Sequence, residues 1–271
     1  MKDLEKYYST LFKQAYKIER YNDFTEALFI IIAVTSNFFD GHIVWIMAIL
    51  ALILQILIFY FKKLQRHYEM MGHKVQEYSM LYAFFNSSTF DFDISQIIGS
   101  FNSMLHKKAL EMPDNPSAAQ YSIDSNNSNK LLGMIQENCF WNHHLFKYCY
   151  KNSIIKIIIW VLIIVFSILF SIGVNMVDKN YYFHRTLLLF LTANLLWNEV
   201  DKVWAWYNAS KAMLSIDNSI SRQKNQSEDF TIHTFAYYTF TKSITPLIDN
   251  KTYEKNQLKL NHGWEVRHLN N

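Results

Sequence analysis

Glycine and proline are scarce in this chain, with six and three among 271 residues. Because these residues form most tight turns and interrupt helices, their scarcity favours long helices and argues against a turn-rich β-sheet protein. The two cysteines, Cys139 and Cys149, are too few for a disulfide framework and fit a reducing compartment. The net charge of +3 is too small to indicate binding to a nucleic acid polymer.

Motifs of catalysis and cofactor binding are also missing. The chain has no Gly-rich phosphate loop, no G-x-S-x-G, no H-E-x-x-H and no paired C-x-x-C. Cys139 and His143 are one helical turn apart and could present two metal ligands. No second pair accompanies them, so packing is the simpler interpretation. We therefore expect no enzyme activity, no cofactor and no metal.

The most informative stretch that is present runs from Ile43 to Phe85. It begins as an apolar run and continues into a charged segment in which the only helix-weakening residue is Gly72. We predict one helix that crosses the membrane and continues into the cytoplasm; the alternative is a membrane anchor followed by an ordinary soluble core helix. Apolar residues recur along it at alternating steps of four and three: Leu57, Phe61, Leu64, Tyr68, Met71, Val75, Tyr78, Tyr82 and Phe85. This spacing predicts a packing seam against another subunit or another part of the chain.

Three more apolar stretches complete two hairpins. Residues 24–39 are short and contain Glu26, so they span only if the amphipathic helix predicted over residues 1–20 continues into them. Residues 154–174 are long enough to span, and residues 181–197 return after a turn at 175–180. We predict an all-α membrane protein with four transmembrane helices in two hairpins and helical cytoplasmic extensions.

The positions of lysine and arginine predict the orientation. They flank the start of the first span, the end of the second and the start of the third, so both termini should be cytoplasmic in a bacterial inner membrane. The predicted parts are residues 1–61 and 152–200 for the two hairpins with the N-terminal helix, and 62–151 and 201–271 for the cytoplasmic regions. The region 62–151 should contain a helix over 94–110 and a loop over 112–129 rich in Pro, Asp, Asn and Ser.

Polar residues within spans are costly and usually face a bundle interior, where they line an ion path or bond between helices. The candidates for pore lining are Gln55, Asn194 and Asn198, whereas Glu26 and Glu199 could sit at the headgroups. For gating or assembly the seam offers Tyr68, Met71 and Tyr78. The candidates for contact with an anionic ligand are Arg66, Lys74, Lys107 and Lys108. The alternative is that these charges only set the membrane topology or lie on the solvated surface.

Two short motifs accompany this layout: Phe90-Asp91 after the second span, and Gln136, Asn138, Trp141 and Leu145 before the third. The layout and these motifs resemble the SMODS-associated four-transmembrane (S-4TM) effectors, pore-forming proteins encoded beside cyclic-oligonucleotide synthases. The first half is also similar to the related two-transmembrane (SLATT-like) effector domain. Asn142 stands where that family has an acidic residue. The residues that match the family motifs are Phe90, Asp91, Gln136, Asn138, Trp141 and Leu145.

This resemblance implies a membrane-disrupting effector of a bacterial anti-phage system of the CBASS type, which acts by abortive infection. A cyclic nucleotide second messenger, or a partner that senses it, would gate the pore. The expected partners are membrane lipid, further copies of the chain in a homo-oligomer, and a cyclic nucleotide ligand. Two alternatives stay open: a constitutive oligomeric ion channel and a non-conducting membrane scaffold.

Overall fold

A computed structural model of the chain describes residues 2–36, 39, 41–85, 91–99, 101–112, 127–175, 182–223 and 227–269. Within these ranges the regular structure is helical, which confirms the all-α prediction. The helices are α1 Lys2–Thr35, α2 His42–Phe85, α3 Asp91–Gly99, α4 Ser103–Leu110, α5 Asn127–Asn175, α6 Tyr182–Arg222, α7 Glu228–Ile244 and α8 Asn250–Leu269.

The chain forms two compact units. Unit 1 consists of Met1–Ala15, His67–Cys149 and Ala205–Asn271, and unit 2 of Tyr16–Arg66 and Tyr150–Trp204. Helices α1, α2, α5 and α6 each contribute residues to both units. The four-part division predicted from the sequence stays a prediction.

The second helix forms as the sequence predicts, and the first extends beyond the residues 1–20 predicted for it. Helix α1 has no glycine or proline and runs without interruption from the amphipathic segment into the short apolar stretch. This continuity is what that stretch needs in order to be long enough to span a membrane. Helix α2 confirms the long helix predicted from Ile43 to Phe85. Gly41 precedes it with a φ of 72°, a conformation that glycine adopts without a steric penalty.

Two boundaries differ from the prediction. The single helix expected over 94–110 is wrong: α3 ends at Gly99 and α4 begins at Ser103. Asn102 accounts for the break, because its side chain caps α4 by accepting a hydrogen bond from the backbone N–H of Leu105 at 2.8 Å. Helix α5 begins at Asn127, within the loop predicted over 112–129, and continues without a break into the span predicted over 154–174. Residues 113–126 and most of the turn at 175–180 lie outside the described residues.

The core of unit 1 joins α1 to the seam of α2. Leu4, Tyr7 and Leu11 of α1 are buried against Val75 of α2 and Ala109 of α4. Tyr68 and Met71, two of the gating candidates, are partly buried on this cluster. A partner for this part of the seam therefore lies within the same chain.

The tail forms two helices of unit 1. In α7, Phe235 and Tyr238 are buried, whereas Tyr237 and Phe240 on the opposite side are 50 % and 60 % exposed. The ring nitrogen of Trp206 donates a hydrogen bond at 3.0 Å to the carbonyl of Pro246, in the segment between α7 and α8. One side of α7 therefore packs within the chain.

Unit 2 has an apolar core and an apolar exterior. Its core is formed by Phe29, Ile30 and Ala33 of α1 with Leu54 and Ile58 of α2. On the outside, large apolar side chains of three helices are mostly more than 40 % exposed, as at Ile31, Ile46, Ile49, Ile53, Ile56, Phe59, Ile155, Ile158, Leu162, Phe166 and Leu169. In the described part of the chain one helix, α2 over His42–Leu81, has the length and hydropathy of a membrane span. The three other spans stay a prediction, and the side chains of 170–191 lie outside the description.

Candidate functional site

Ionisable and amide side chains converge within unit 2 where the apolar runs of its helices end. Asn22 and Glu26 lie one turn apart on α1, so they share a face of that helix. The Asn22 amide donates a hydrogen bond to Glu26 Oε1 at 2.9 Å, and Asn22 is only 1 % exposed. Lys62, which follows the apolar run of α2, places Nζ 2.9 Å from the same oxygen.

A second ion pair lies on α6. Lys202 Nζ donates to Glu199 Oε1 at 2.9 Å, one turn away on the same helix. Burial by itself would raise the pKa of Glu199, but the Lys202 ammonium, helped by Lys156 and Lys62, outweighs burial and holds that pKa below its ordinary value. Burial would likewise lower the pKa of Lys202, but the carboxylates of Glu199 and Glu26 keep it above the usual value.

These mutual effects show that the charges of the four helices act on one another. Glu26 of α1 acts on Lys202 of α6, while Lys62 of α2 and Lys156 of α5 act on Glu199. The exposed Asp23 carboxylate is also within the field of Lys202 and Lys156. We call the following set the charged cluster: Asp23, Glu26, Lys62, Lys156, Glu199 and Lys202.

Glu26 and Glu199 also line one small cavity of unit 2. It has a volume of about 10 Å³ and is bounded by residues of α1, α5 and α6: Glu26, Ile30, Trp160, Thr192, Leu195, Leu196 and Glu199. A volume of this size is at the lower limit for one water molecule. The carboxylates of α1 and α6 thus meet at a space too small for an ion path in this conformation.

Two buried polar atoms of this region lack a hydrogen bond within the described residues. One is Asn22 Oδ1, and the other is Lys62 Nζ, which forms the ion pair with Glu26 without hydrogen-bond geometry. Buried polar groups are nearly always satisfied by protein or by ordered water. Asn22 Oδ1 therefore has capacity for a further donor or a cation, and Lys62 Nζ has capacity for a further acceptor.

The pore-lining candidates occupy other positions. Gln55 is half-buried and its Oε1 is buried without a hydrogen bond to any described residue. Asn194 is exposed, and Asn198 is half-buried. None of the three borders the cavity, whose polar walls are Glu26, Thr192 and Glu199.

The ligand-contact candidates lie on α2 and α4, and their contact with a ligand stays a prediction. Lys74 is exposed on α2, and its ammonium lowers the pKa of Glu77, which burial raises by a larger amount. Lys107 forms an open ion pair with Glu111 at 3.9 Å on α4. Lys74, Lys107 and Lys108 belong to unit 1, and Arg66 belongs to unit 2.

The motif residues of α5 are held by other helices of unit 1. Gln136 Nε2 donates to Asp217 Oδ1 at 3.2 Å and to Ser221 Oγ at 2.8 Å, and Arg267 forms two hydrogen bonds of 2.7 Å with the Asp217 carboxylate. Leu145 is buried, and the Trp141 ring lies 6.2 Å from that of Tyr253.

Other motif positions make local contacts or none. Asn138 bonds to the carbonyl of Met134, one turn earlier on α5. The buried side-chain nitrogens of Trp141 and Asn142 have no partner in the described part of the chain. Asp91 begins α3 with its side chain outside the description, and Phe90 lies outside the described residues altogether.

The possible metal pair of α5 does not converge. Cys139 is fully buried and donates to Met213 Sδ at 3.6 Å, whereas His143 Nδ1 lies 2.8 Å from the carbonyl of Ser210. Within the described residues, no group of three His, Cys, Asp or Glu side chains is placed to hold a metal ion.

Comparisons of the chain with protein-family models, with curated proteins and with solved structures found no match.

Proposed function

We propose that the protein is a gated ion-conducting membrane effector that spans the bacterial inner membrane four times, as two hairpins, with both termini in the cytoplasm. The observation that carries this proposal is the inverted distribution of side chains in unit 2. Large apolar side chains are exposed on its exterior, while charged groups and a polar-walled cavity lie among its helices.

The exterior fits hydrocarbon. Contiguous exposed apolar surface on a helical protein marks contact with a membrane or another protein. On α2 this surface runs from Ile43 to Tyr60, about 27 Å along a helix axis and close to the thickness of a bilayer core. On α5 it runs from Ile154 to Leu169, over the start of the third predicted span.

Aromatic residues mark the boundary of this apolar surface. Tyr60 is 56 % exposed two residues before Lys62, and Trp197 is 65 % exposed two residues before Glu199. Tyrosine and tryptophan concentrate at the membrane–water interface, because their rings are apolar and carry one polar group. The charged cluster would therefore lie at the cytoplasmic mouth of the bundle, where the predicted topology places the ends of all four spans.

Charged groups among the helices at the mouth of a bundle support ion conduction better than a scaffold, because they raise the local concentration of ions there. The small cavity also favours a closed resting state over a constitutive channel. By its family resemblance, the protein would disrupt the membrane of an infected cell when a cyclic nucleotide, or a partner bearing one, favours the open state. Such a ligand must bind the open state more tightly than the closed state, because equal affinity for both would leave their equilibrium unchanged.

The test is ion leakage from liposomes that contain the purified full-length protein. K⁺ efflux and dye release are recorded with a panel of cyclic di- and trinucleotides added one at a time, and protein-free liposomes serve as the control. Efflux with one nucleotide alone is the expected result. Efflux without any nucleotide would favour the constitutive channel, and no efflux of any kind would leave the scaffold as the better account.

A further inference from the structure

We propose that Glu26 is the centre of a binding site for a monovalent cation, and that the Lys62 ammonium occupies this site as a tethered cation in the closed state. This inference rests on the proposed function, because it assigns an ion class and a closing device to the same site. It starts from the three side chains that meet at Glu26 Oε1.

The position of Lys62 is that of a substitute ion. Its Nζ lies 2.9 Å from Glu26 Oε1 and is buried, yet it makes no hydrogen bond within the described residues. The side chain is held at the carboxylate by charge, on a flexible stem that carries a compact point charge. A free cation could replace such a group without breaking a fixed set of hydrogen bonds.

Asn22 supplies an independent indication of a ligand. Its Nδ2 is bound to Glu26 Oε1, but its Oδ1 is buried and receives no hydrogen bond from any described residue. This buried acceptor, on the residue one turn before Glu26, is left without a donor, as an oxygen ligand of a hard cation would be. The cavity on which Glu26 and Glu199 both lie offers space for a retained water ligand.

The charge of the site favours a monovalent ion. Glu199 is already paired with Lys202 at 2.9 Å on the same helix, so this pair moves as one with α6. Within the described residues, no group of three His, Cys, Asp or Glu side chains is placed to hold a metal ion at Glu26. Displacement of Lys62 would leave the single negative charge of Glu26 without its partner, and one Na⁺ or K⁺ ion would compensate that charge.

Lys62 and Glu26 also differ from the α6 pair in the helices they join. Their ion pair connects α2 to α1, whereas Glu199 and Lys202 are three residues apart on α6. A small separation of α1 from α2 would therefore open the first pair and leave the second intact. Lys62 is the residue whose removal should imitate opening.

The experiment compares Lys62→Gln, Glu26→Gln and Lys62→Arg with the natural sequence in liposomes under a KCl gradient, without nucleotide and with each nucleotide of the panel. Lys63→Gln is the matched control, because Lys63 is the exposed neighbour of Lys62. K62Q should raise the basal K⁺ flux roughly tenfold and shift the reversal potential towards K⁺, since an uncompensated carboxylate in a cleft concentrates cations. K62R should stay closed, and E26Q should lose the preference for K⁺ over Cl⁻.

Circular dichroism and size-exclusion profiles would establish that each variant is folded. If the natural protein conducts with a nucleotide but K62Q behaves like K63Q, the tethered-cation site is wrong and the proposed function stands. An equal rise of K⁺ and Cl⁻ flux in K62Q would also overturn the inference, because loosened packing has no charge preference. If no protein conducts under any condition, K62Q included, both proposals fail.

Discussion

The ring of Phe12 on α1 fills the space into which a side chain at Gly72 of α2 would project. A Cβ atom built at Gly72 would lie 2.8 Å from Phe12 Cε1, which is closer than carbon atoms approach in proteins. The ring is itself restrained between Tyr8 and His73, at centroid distances of 6.2 Å and 5.1 Å. Gly72 therefore has a packing role that outweighs its low helix propensity.

Gly72→Ala should destabilise the protein although alanine is the better helix former. The helix gain of about 1 kcal/mol opposes an overpacking cost of about 1–3 kcal/mol, so we expect a net loss near 1 kcal/mol. The measurement is chemical denaturation of detergent-purified protein. Gly263→Ala is the control, because its Cβ would meet Phe140 at 3.4 Å, and it should be neutral or stabilising. Equal stabilisation by both substitutions would contradict the packing role.

The ion pair between Arg267 and Asp217 should hold α8 on unit 1. Arg267 donates two hydrogen bonds of 2.7 Å to the buried Asp217, and its guanidinium also lies 5.6 Å from the Trp264 ring. Arg267→Ala leaves a buried carboxylate with fewer partners, at a cost of about 1–3 kcal/mol after allowance for the partly exposed guanidinium.

Arg267→Lys should recover little of that loss, because an ammonium cannot form the paired hydrogen bonds. Denaturation curves and the rate of chymotryptic cleavage within α8 would measure both variants, with Lys255→Ala, at an exposed position on the same helix, as the control. Full recovery by lysine would indicate that charge alone, and not the paired geometry, holds the helix.

The stability of the protein should depend on pH through Lys242. Burial lowers the pKa of this lysine to about 8, an effect that nearby Cys139 opposes, and Nζ donates hydrogen bonds to Gln76 Oε1 at 2.6 Å and to Tyr238 Oη at 3.4 Å. Between pH 8 and the unfolded value of 10.5 the unfolded chain retains a proton that the folded chain has released. The free energy of unfolding should therefore rise with pH across this window.

Lys242→Met isolates this effect from other titrations. The variant should be more stable than the natural protein at pH 7, and the difference should shrink by about 3 kcal/mol as the pH passes through the window. Thermal unfolding midpoints at pH 7 to 10.5 would follow it, with Lys255→Met at an exposed position as the reference. A difference that does not change with pH would show that the folded lysine keeps an ordinary pKa.

The predicted topology can be tested with single introduced cysteines. A maleimide reagent that does not cross the membrane should label His42→Cys in intact cells, and Lys107→Cys and Leu258→Cys only after permeabilisation. All three positions are exposed. The native cysteines should give little background, since both are buried and burial raises the pKa of the Cys149 thiol to about 12. Labelling of position 107 from outside would overturn the predicted orientation.

Helix formation was the most predictable property of this chain. The apolar spacing and the absence of breakers defined α2 to within one residue, whereas the continuation of α1 past Arg20 had been left open. The break between α3 and α4 was missed, because a single Asn at a cap decides it and Asn also occurs within helices. The partner of the seam could not be derived, since a heptad pattern fits a helix of the same chain as well as one of another subunit.

The candidate site was only partly visible in the sequence. Glu26 and Glu199 stood out as costly residues at span ends, but Lys62 counted only as a topology signal. The pairing of Lys62 with Glu26 depends on the rotation of α1 against α2, which periodicity does not determine. Asn22 was missed although its position, one turn before Glu26, was a usable signal for a shared helix face.

The ion pair between Glu26 and Lys62 also bears on how the protein is made. If the first hairpin spans the membrane as proposed, Glu26 of the nascent chain would enter the membrane machinery before its counter-charge has been synthesised, and a carboxylate would penalise insertion of a short apolar segment. The following 36 residues deliver Lys62. The first helix should therefore insert poorly alone and efficiently when the second emerges, so that the hairpin, and not the single span, is the unit of biogenesis.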